Sequence, residues 1–267
     1  MEIIGQGRTA EIYDAHENKV LKLYRKEFPH QAINEEFLNS KFVYALGINT
    51  PKPFEMTEID DRQGIIFQRI SGLTLLNIMT RNPLRIKYYS QKLATLHYQL
   101  HSYEANELRR KQRDVIMNNV NMAPILTEEE KKKIINYLEG LPEDNKLCHG
   151  DFHPDNILID KNNAWIIDWM TGMVGNPSAD IARSVILLTY GTMHEGTPKL
   201  ITTIVKFIRK RINNEYVKHY LKHSGKDYID IDKWVLPMAA ARLVEWIPQT
   251  EKNELVLEIR RRLNSIL

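Results

Sequence analysis

The stretch that most limits what this chain can become is Cys148-His149-Gly150-Asp151-Phe152-His153-Pro154-Asp155-Asn156 and the segment that follows it, ending in Ile166-Ile167-Asp168-Trp169. Two short apolar runs, Asn156–Ile159 and Ala164–Ile167, flank the turn-forming residues Asp160-Lys161-Asn162-Asn163, a pattern that predicts a β-hairpin. A turn centred on Asn162 sets Asn156 opposite Asp168, with side chains roughly 5 Å apart on one face. An amide oxygen and a carboxylate so placed can share one Mg²⁺, which binds few protein oxygens and keeps its other positions for phosphate and water. Asp151, just before the first strand, adds a carboxylate able to receive a proton. These are the parts of a phosphoryl-transfer site.

Towards the amino terminus, Ile3-Ile4, Gly5-Gln6-Gly7-Arg8-Thr9-Ala10 and Glu11-Ile12-Tyr13 read as strand, glycine turn and strand. Gly5 and Gly7 let a backbone with free N–H groups approach a polyphosphate, although G-x-G alone equally fits an ordinary hairpin turn. No Gly-Lys-Ser/Thr follows, so this is not a P-loop. Val20–Tyr24 is the next strand; Lys22 alternates there with Leu21 and Leu23, which by itself describes a solvent-facing lysine. A helix is expected from Gln31 to Leu46, offering Glu35 and Glu36, and the run Gly47 to Pro53 ends it. Phe54–Ile59 and Gly64–Ile70 form a strand pair, Ser71-Gly72 a linker, and the chain turns mostly helical from Leu73. Thr127-Glu128-Glu129-Glu130 is a capping box opening a helix to about Gly140. His97 and His101 share a helical stripe with Leu93, Leu96 and Leu100; with no acidic third ligand nearby in sequence, they read as packing and hydrogen-bonding residues rather than a metal site.

His149, Asp151 and Asn156 fit the H-x-D-x-x-x-x-N catalytic loop of the protein-kinase-like superfamily, and Asp168 stands where that superfamily has its metal-binding aspartate. The wording of the loop, with Ile-Asp-Trp after it, resembles the aminoglycoside phosphotransferase and choline kinase branch. His153 replaces a usual lysine of protein kinases, and Trp169-Met170 replace Phe-Gly, both departures pointing away from a protein substrate. The resemblance implies an α+β, two-lobe fold: a small antiparallel sheet with one main helix over residues 1–67, a hinge at 68–72, and a mostly helical lobe over 73–267. It further implies ATP or GTP as donor, with Gly5 and Gly7 over the phosphates, Lys22 on the α- and β-phosphates, and the purine against Gln68 and Ile70. The third glycine of the family loop is Ala10 here. Glu36 is preferred to Glu35 as the partner of Lys22 from its distance to Gly47 and Pro51. Asp151 is the implied base, Asn156 and Asp168 the Mg²⁺ ligands, and Asp180 a structural support of the loop. Helices carrying Tyr190, Trp234, Trp246, Glu195 and Glu245 would wall the site of a small hydroxyl acceptor; the two carboxylates would suit a cation but also fit a solvated face.

The 267 residues suffice for one large domain or two modest lobes. A net charge of +3 is too weak to imply nucleic acid, and Lys206, Arg209, Lys210, Arg211 and the run Arg260-Arg261-Arg262 read as solvated helix faces. Cys148 is the single cysteine, which excludes an intrachain disulfide and reads as a small buried residue ending a strand. The amino-terminal residues lack signal-peptide character and no apolar run reaches membrane-spanning length, so no membrane partner and a cytoplasmic location are expected. Three rival readings exist: a protein kinase, a kinase-shaped nucleotide-binding protein without turnover, and a metal-dependent hydrolase built on His149, Asp151 and His153. The last gives the glycine loop and Lys22 no role.

Overall fold

The computed structural model describes residues 1–161, 163–191 and 199–266, the last segment with side chains from 202. Asn162, the expected turn centre, and Glu195 lie outside the described residues. In chain order the elements are β1 (Ile3–Gln6), β2 (Ala10–Asp14), β3 (Lys19–Tyr24), α1 (His30–Ala45), β4 (Pro53–Ile59), β5 (Arg62–Gln68), β6 (Leu73–Thr74), α2 (Leu75–Arg81), α3 (Ile86–Leu100), α4 (Gln112–Met122) and α5 (Glu128–Glu139). They continue with β7 (Lys146–Cys148), β8 (Ile157–Asp160), β9 (Asn163–Ile166), β10 (Met173–Gly175), α6 (Pro177–Tyr190), α7 (Lys199–Ser224), α8 (Tyr228–Arg242) and α9 (Gln249–Ile266). This is the α+β class expected, antiparallel sheet first and helices after. No described helix is long and apolar enough to cross a membrane.

Contacts divide the chain into two compact units. The first joins Met1–Arg81 to Pro154–Gly172. Its main sheet has five antiparallel strands in the order β1-β2-β3-β5-β4. Asp60 and Asp61 both adopt left-handed φ, +50° and +58°, the backbone a two-residue hairpin turn between twisted strands requires. Ala10, Tyr24 and Ile65 from the sheet bury against Ile33 of α1, with Phe28, Phe37, Met56, Phe67 and Met170 around them. A second sheet, β6-β8-β9, carries the hairpin identified from sequence. Gly72 lets its approach to β6 be close: a Cβ there would sit 2.4 Å from the Ile159 carbonyl oxygen.

The hairpin forms one register away from the expected one. Asp160 pairs with Asn163 and Ile157 with Ile166, so the turn centre lies between positions 161 and 162. Asn156 therefore stands against Ile167, whose N–H donates to the Asn156 carbonyl at 3.0 Å, and not against Asp168. The strands pair as far as Asp160 and Asn163, and Lys161 leaves β8 at φ +53°, where a turn centred on one residue was expected. Asp168 then leaves the extended region altogether, at φ +67° and ψ +70°, so strand alternation no longer sets the direction of its side chain.

The second unit comprises Asn82–His153 and Met173–Leu267. β7 and β10 pair antiparallel, Cys148 opposite Met173. α6 is buried along almost its whole length, and its start is fixed by Asn176, whose side chain accepts from the Ser178 N–H, with Pro177 in the first turn. α5 begins with the capping box read from sequence, Thr127 and Glu130 bonding reciprocally.

Candidate functional site

In the first unit, Lys22 lies on the central strand of the main sheet, opposite Ile12 and Ile65. Alternation places it on the face of Tyr24, which α1 covers, so the strand pattern that reads as solvent-facing is overruled by packing on both faces. The ammonium donates to Glu36 Oε1 at 2.6 Å and to Asp168 Oδ1 at 3.1 Å. Tyr24 donates its hydroxyl to Glu36 Oε2 at 2.5 Å. Burial opposes the charge on Lys22, but the Asp168 and Glu36 carboxylates outweigh it and hold the pKa above the usual lysine range. Glu36 is buried, whereas Glu35, one helical step round, accepts from Gln31 Nε2 on the exposed side.

Asn39, three residues after Glu36 and on the same face of α1, was not singled out from sequence. Its amide donates to the carbonyls of Trp169 and Gly172, both at 3.1 Å, pinning the turn that follows Asp168. Trp169 is buried and donates to Thr50 Oγ1 at 3.0 Å. One helix face thus holds both the lysine's carboxylate and the segment presenting Asp168, whose side chain stays 40% exposed. Asn156 is buried in the same unit at the start of the hairpin.

The Gly7 N–H closes the first turn on the Ala10 carbonyl at 2.8 Å. Neither Gly5 nor Gly7 has a positive φ, and a Cβ at either meets nothing closer than 3.6 Å, so the fold itself does not demand glycine at these two positions. Gln68 bonds the Lys52 backbone through its N–H and its side-chain oxygen, and the Ile70 carbonyl accepts from the Gly72 N–H.

In the second unit, α6 grips the loop after β7 with three side chains. Asp180 accepts the N–H groups of His149 at 2.6 Å and Gly150 at 2.8 Å. Arg183 Nε donates to the Gly150 carbonyl at 3.2 Å, and Ser184 Oγ to the Phe152 carbonyl at 2.7 Å. Gly150 sits at φ +77°, a left-handed backbone that favours glycine. Asp151 is 31% exposed, with Oδ1 3.4 Å from Arg183 Nη2 and Oδ2 3.3 Å from His153 Nε2. Burial alone would raise its pKa; the hydrogen bond and charge of His153, then the charges of Arg183 and His149, hold it well below the usual carboxylate range. His149 is buried, with Nδ1 accepting the Asp151 N–H at 3.2 Å, so it serves its own loop. Among the described residues, the group of three His, Cys, Asp or Glu side chains close enough to hold a metal is a different one, which removes support for the hydrolase reading. Cys148 is fully buried, and burial, then Asp180, pushes its thiol pKa up, leaving no reactive thiolate.

That other group is His97, His101 and Asp180. The sequence placed no acid near the histidines; the fold supplies one 83 and 79 residues later, with Asp180 Oδ2 at 2.9 Å from His97 Nε2 and 3.3 Å from His101 Nε2. Each Nδ1 meets a tyrosine hydroxyl, Tyr216 at 2.6 Å and Tyr220 at 2.8 Å. Neutral imidazoles protonated at Nε2 satisfy every one of these bonds, with Asp180 and both rings accepting in turn. The cluster is accordingly a hydrogen-bond network, as expected of the histidines. Burial, then His101, lowers the His97 pKa to about 3 against the pull of Asp180. The unfolded chain binds a proton there below about pH 6.5 and the native state does not. Stability is therefore full above that pH and falls as pH drops below it, by about 2 kcal/mol at pH 5 from this residue. Urea unfolding at the two pH values measures the loss, and equal unfolding free energies would contradict it.

Glu245 and Trp246 follow α8. Glu245 is not a solvated carboxylate: it pairs with Arg183 at 2.6 Å and Arg242 at 2.7 Å. Trp246 is 89% exposed, whereas Trp234 is buried.

The fold recurs in solved structures of low identity. A thermostable mutant of aminoglycoside phosphotransferase APH(4)-Ia, in ternary complex with AMP-PNP and hygromycin B, matches with TM-score 0.66 and 14% identity over 99% of this chain and 92% of its own. Amicoumacin kinase hAmiN, in complex with AMP-PNP, Ca²⁺ and Ami, matches with TM-score 0.62 and 12% identity over 99% and 87%. A choline/ethanolamine kinase family protein from Mesorhizobium loti matches with TM-score 0.57 and 15% identity over 99% and 91%. No curated protein matches the chain in sequence. Residues 2–207 match the family described as Phosphotransferase enzyme family (APH). That span is well over half of the chain, and with the kinase-like fold it shows that this protein belongs to the Phosphotransferase enzyme family.

Proposed function

We propose that this phosphotransferase moves the γ-phosphoryl group of ATP or GTP to a hydroxyl of a small molecule, in the cytoplasm. The observation that carries the reading is Lys22, buried and charged between Glu36 and Asp168, in a chain of this family. A nucleotide donor is supported by the solved relatives of the fold that hold AMP-PNP. A small acceptor is supported by the loop wording, His153 and Trp169-Met170 included, and by relatives holding hygromycin B or described as choline/ethanolamine kinase family.

In this reading residues 1–67 bind the nucleotide, 68–72 form the hinge and 73–267 hold the acceptor. The Gly5 and Gly7 segment offers backbone N–H groups to the phosphates, Lys22 adds positive charge, and Gln68 and Ile70 meet the purine through the backbone. Asp151 orients the acceptor hydroxyl and takes its proton late in the transfer, so a carboxylate of low pKa suffices. No covalent intermediate is needed; positioning and charge lower the barrier. Asn156 and Asp168 would hold Mg²⁺: their donors are hard oxygens, and Asp168 is presented half-exposed with a single lysine on one of its oxygens. The ion, when bound, neutralises charge on the phosphates.

Asp168→Ala is expected to weaken nucleotide binding at saturating Mg²⁺ by about tenfold or more, with little change in EDTA. Calorimetry with and without Mg²⁺ decides this, and an unaltered Mg²⁺ dependence would count against the assignment. The reading as a whole is tested by following nucleotide consumption over aminoglycosides, choline-like amines and sugars with ATP and GTP. Labelled phosphate recovered on protein rather than on any small acceptor would overturn it.

A further inference from the structure

Arg183 has no part in the chemistry above, yet it is a buried cation in direct contact with both the backbone of the loop and the side chain of Asp151. It lies on α6 one turn beyond Asp180, almost fully buried. Its three nitrogens make three different contacts: Nε to the Gly150 carbonyl at 3.2 Å, Nη2 to Asp151 Oδ1 at 3.4 Å, and Nη1 to Glu245 Oε1 at 2.6 Å. The other oxygen of Glu245 accepts from Arg242 Nη1 at 2.7 Å, and Arg242 Nη2 lies 2.6 Å from Glu251 Oε1. Charges thus alternate from Asp151 through Arg183, Glu245 and Arg242 to Glu251 on α9.

We infer that Arg183 is a positioning residue for the phosphotransfer base: it fixes the rotamer of Asp151 from one side and clamps the loop backbone to the segment after α8. The inference rests on Asp151 being the base. A carboxylate with one oxygen against Arg183 and the other against His153 has its plane set by two hydrogen-bonding partners instead of rotating in the solvent that reaches it. A guanidinium suits the task because its planar fork can bond a carbonyl and two carboxylates at once, which a lysine ammonium on a flexible stem cannot do in fixed geometry. Glu245 keeps the fork from swinging towards Asp151 and is in turn fixed by Arg242. Both carboxylate oxygens of Glu245 are engaged by arginines, so its role is to hold Arg183 and not to attract a cationic acceptor.

The test uses the full chain and the variants Arg183→Gln, Arg183→Lys and Glu245→Gln. With the acceptor identified by the screen, or with water as acceptor in slow nucleotide hydrolysis, Arg183→Gln is expected to lower kcat by about 10- to 100-fold, as misplacement of a reacting group does, with nucleotide Kd unchanged. Arg183→Lys, which keeps the charge and loses the fork, should fall between. Glu245→Gln, at the more exposed end, should give a smaller loss of the same kind and covers the case in which Arg183→Gln does not fold. NMR titration of the Asp151 carboxyl needs no turnover: its pKa should rise in Arg183→Gln, because the guanidinium charge beside Oδ1 is lost. A folded Arg183→Gln with kcat within about twofold of wild type, or an Asp151 titration that does not move, would overturn the inference. Asp151→Asn separates the two ideas. If that variant still turns over, the base assignment fails; if it is inactive while Arg183→Gln is fully active, only the positioning role fails.

Discussion

Asp151→Ala is expected to lower phosphoryl transfer by about 10²- to 10⁴-fold, the usual contribution of a general base, while nucleotide affinity stays within about twofold. The groups proposed to hold the donor, Lys22, Glu36 and Asp168, bond one another inside the first unit, and the contacts of Asp151 with Arg183, His153 and the loop backbone lie inside the second. Removing one carboxylate therefore leaves the lysine set as it is. In a loose phosphoryl-transfer transition state the acceptor oxygen becomes acidic only as the bond to phosphorus forms, so the base needs position more than proton affinity. His153 and Arg183 keep the Asp151 pKa low, and the proposed base stays ionised through mildly acidic pH. A fall in activity between about pH 6.5 and 5 would then trace to the loss of stability at His97 rather than to the base. Transfer of labelled phosphate and nucleotide binding by calorimetry measure the two halves separately. Turnover near wild type would remove Asp151 from the mechanism.

Asp180→Ala is expected to destabilise the fold by about 3–5 kcal/mol, the range seen when one partner of a buried charged network is removed. The carboxylate is fully buried and accepts from two backbone N–H groups and two imidazoles. Alanine leaves these donors without their acceptor, at about 1–3 kcal/mol for each buried group that water does not reach. Against a total stability of about 5–15 kcal/mol, such a loss brings the variant close to unfolding. Asp180→Asn restores one oxygen but turns an NH₂ towards donors, so it recovers only part. Burial opposes the charge on Asp180, yet the contacts of His97 and His101 outweigh it and depress the pKa far below the usual range. Its contribution is therefore present above about pH 4 and is lost only as pH falls below that value. Chemical denaturation at neutral pH gives the comparison, and a midpoint equal to wild type would show that the network does not support the loop.

Much of this was legible from local signals. The strand bearing Lys22, the capping box at Thr127 and Glu130, and the hairpin after the His149–Asn156 loop each depend on residues a few positions apart, and each appears where its residues predict, whereas the turn expected over Gly5–Ala10 is shorter, with Gly5 and Gln6 in β1 and Ala10 opening β2. Choosing Glu36 over Glu35 needed only the distance to the helix end, and the structure bonds Glu36 to Lys22. The hairpin register did not follow from composition, because polar turn residues allow either of two neighbouring centres and one step reverses every opposition across the ladder.

The sequence by itself determined the elements and the chemical kinds of side chain available, since periodicity, caps and turns act between neighbours in the chain. Tertiary structure alone decided which of those side chains meet: Lys22 with Asp168, Asn39 with the turn at Trp169, His97 with Asp180, and Arg183 with both Asp151 and Glu245. These partners lie from 32 to 146 positions apart. No local rule couples residues at such distances; they are joined because burying the apolar faces of α1, α3 and α6 carries their polar groups inside, where each must find a partner or lose its solvation.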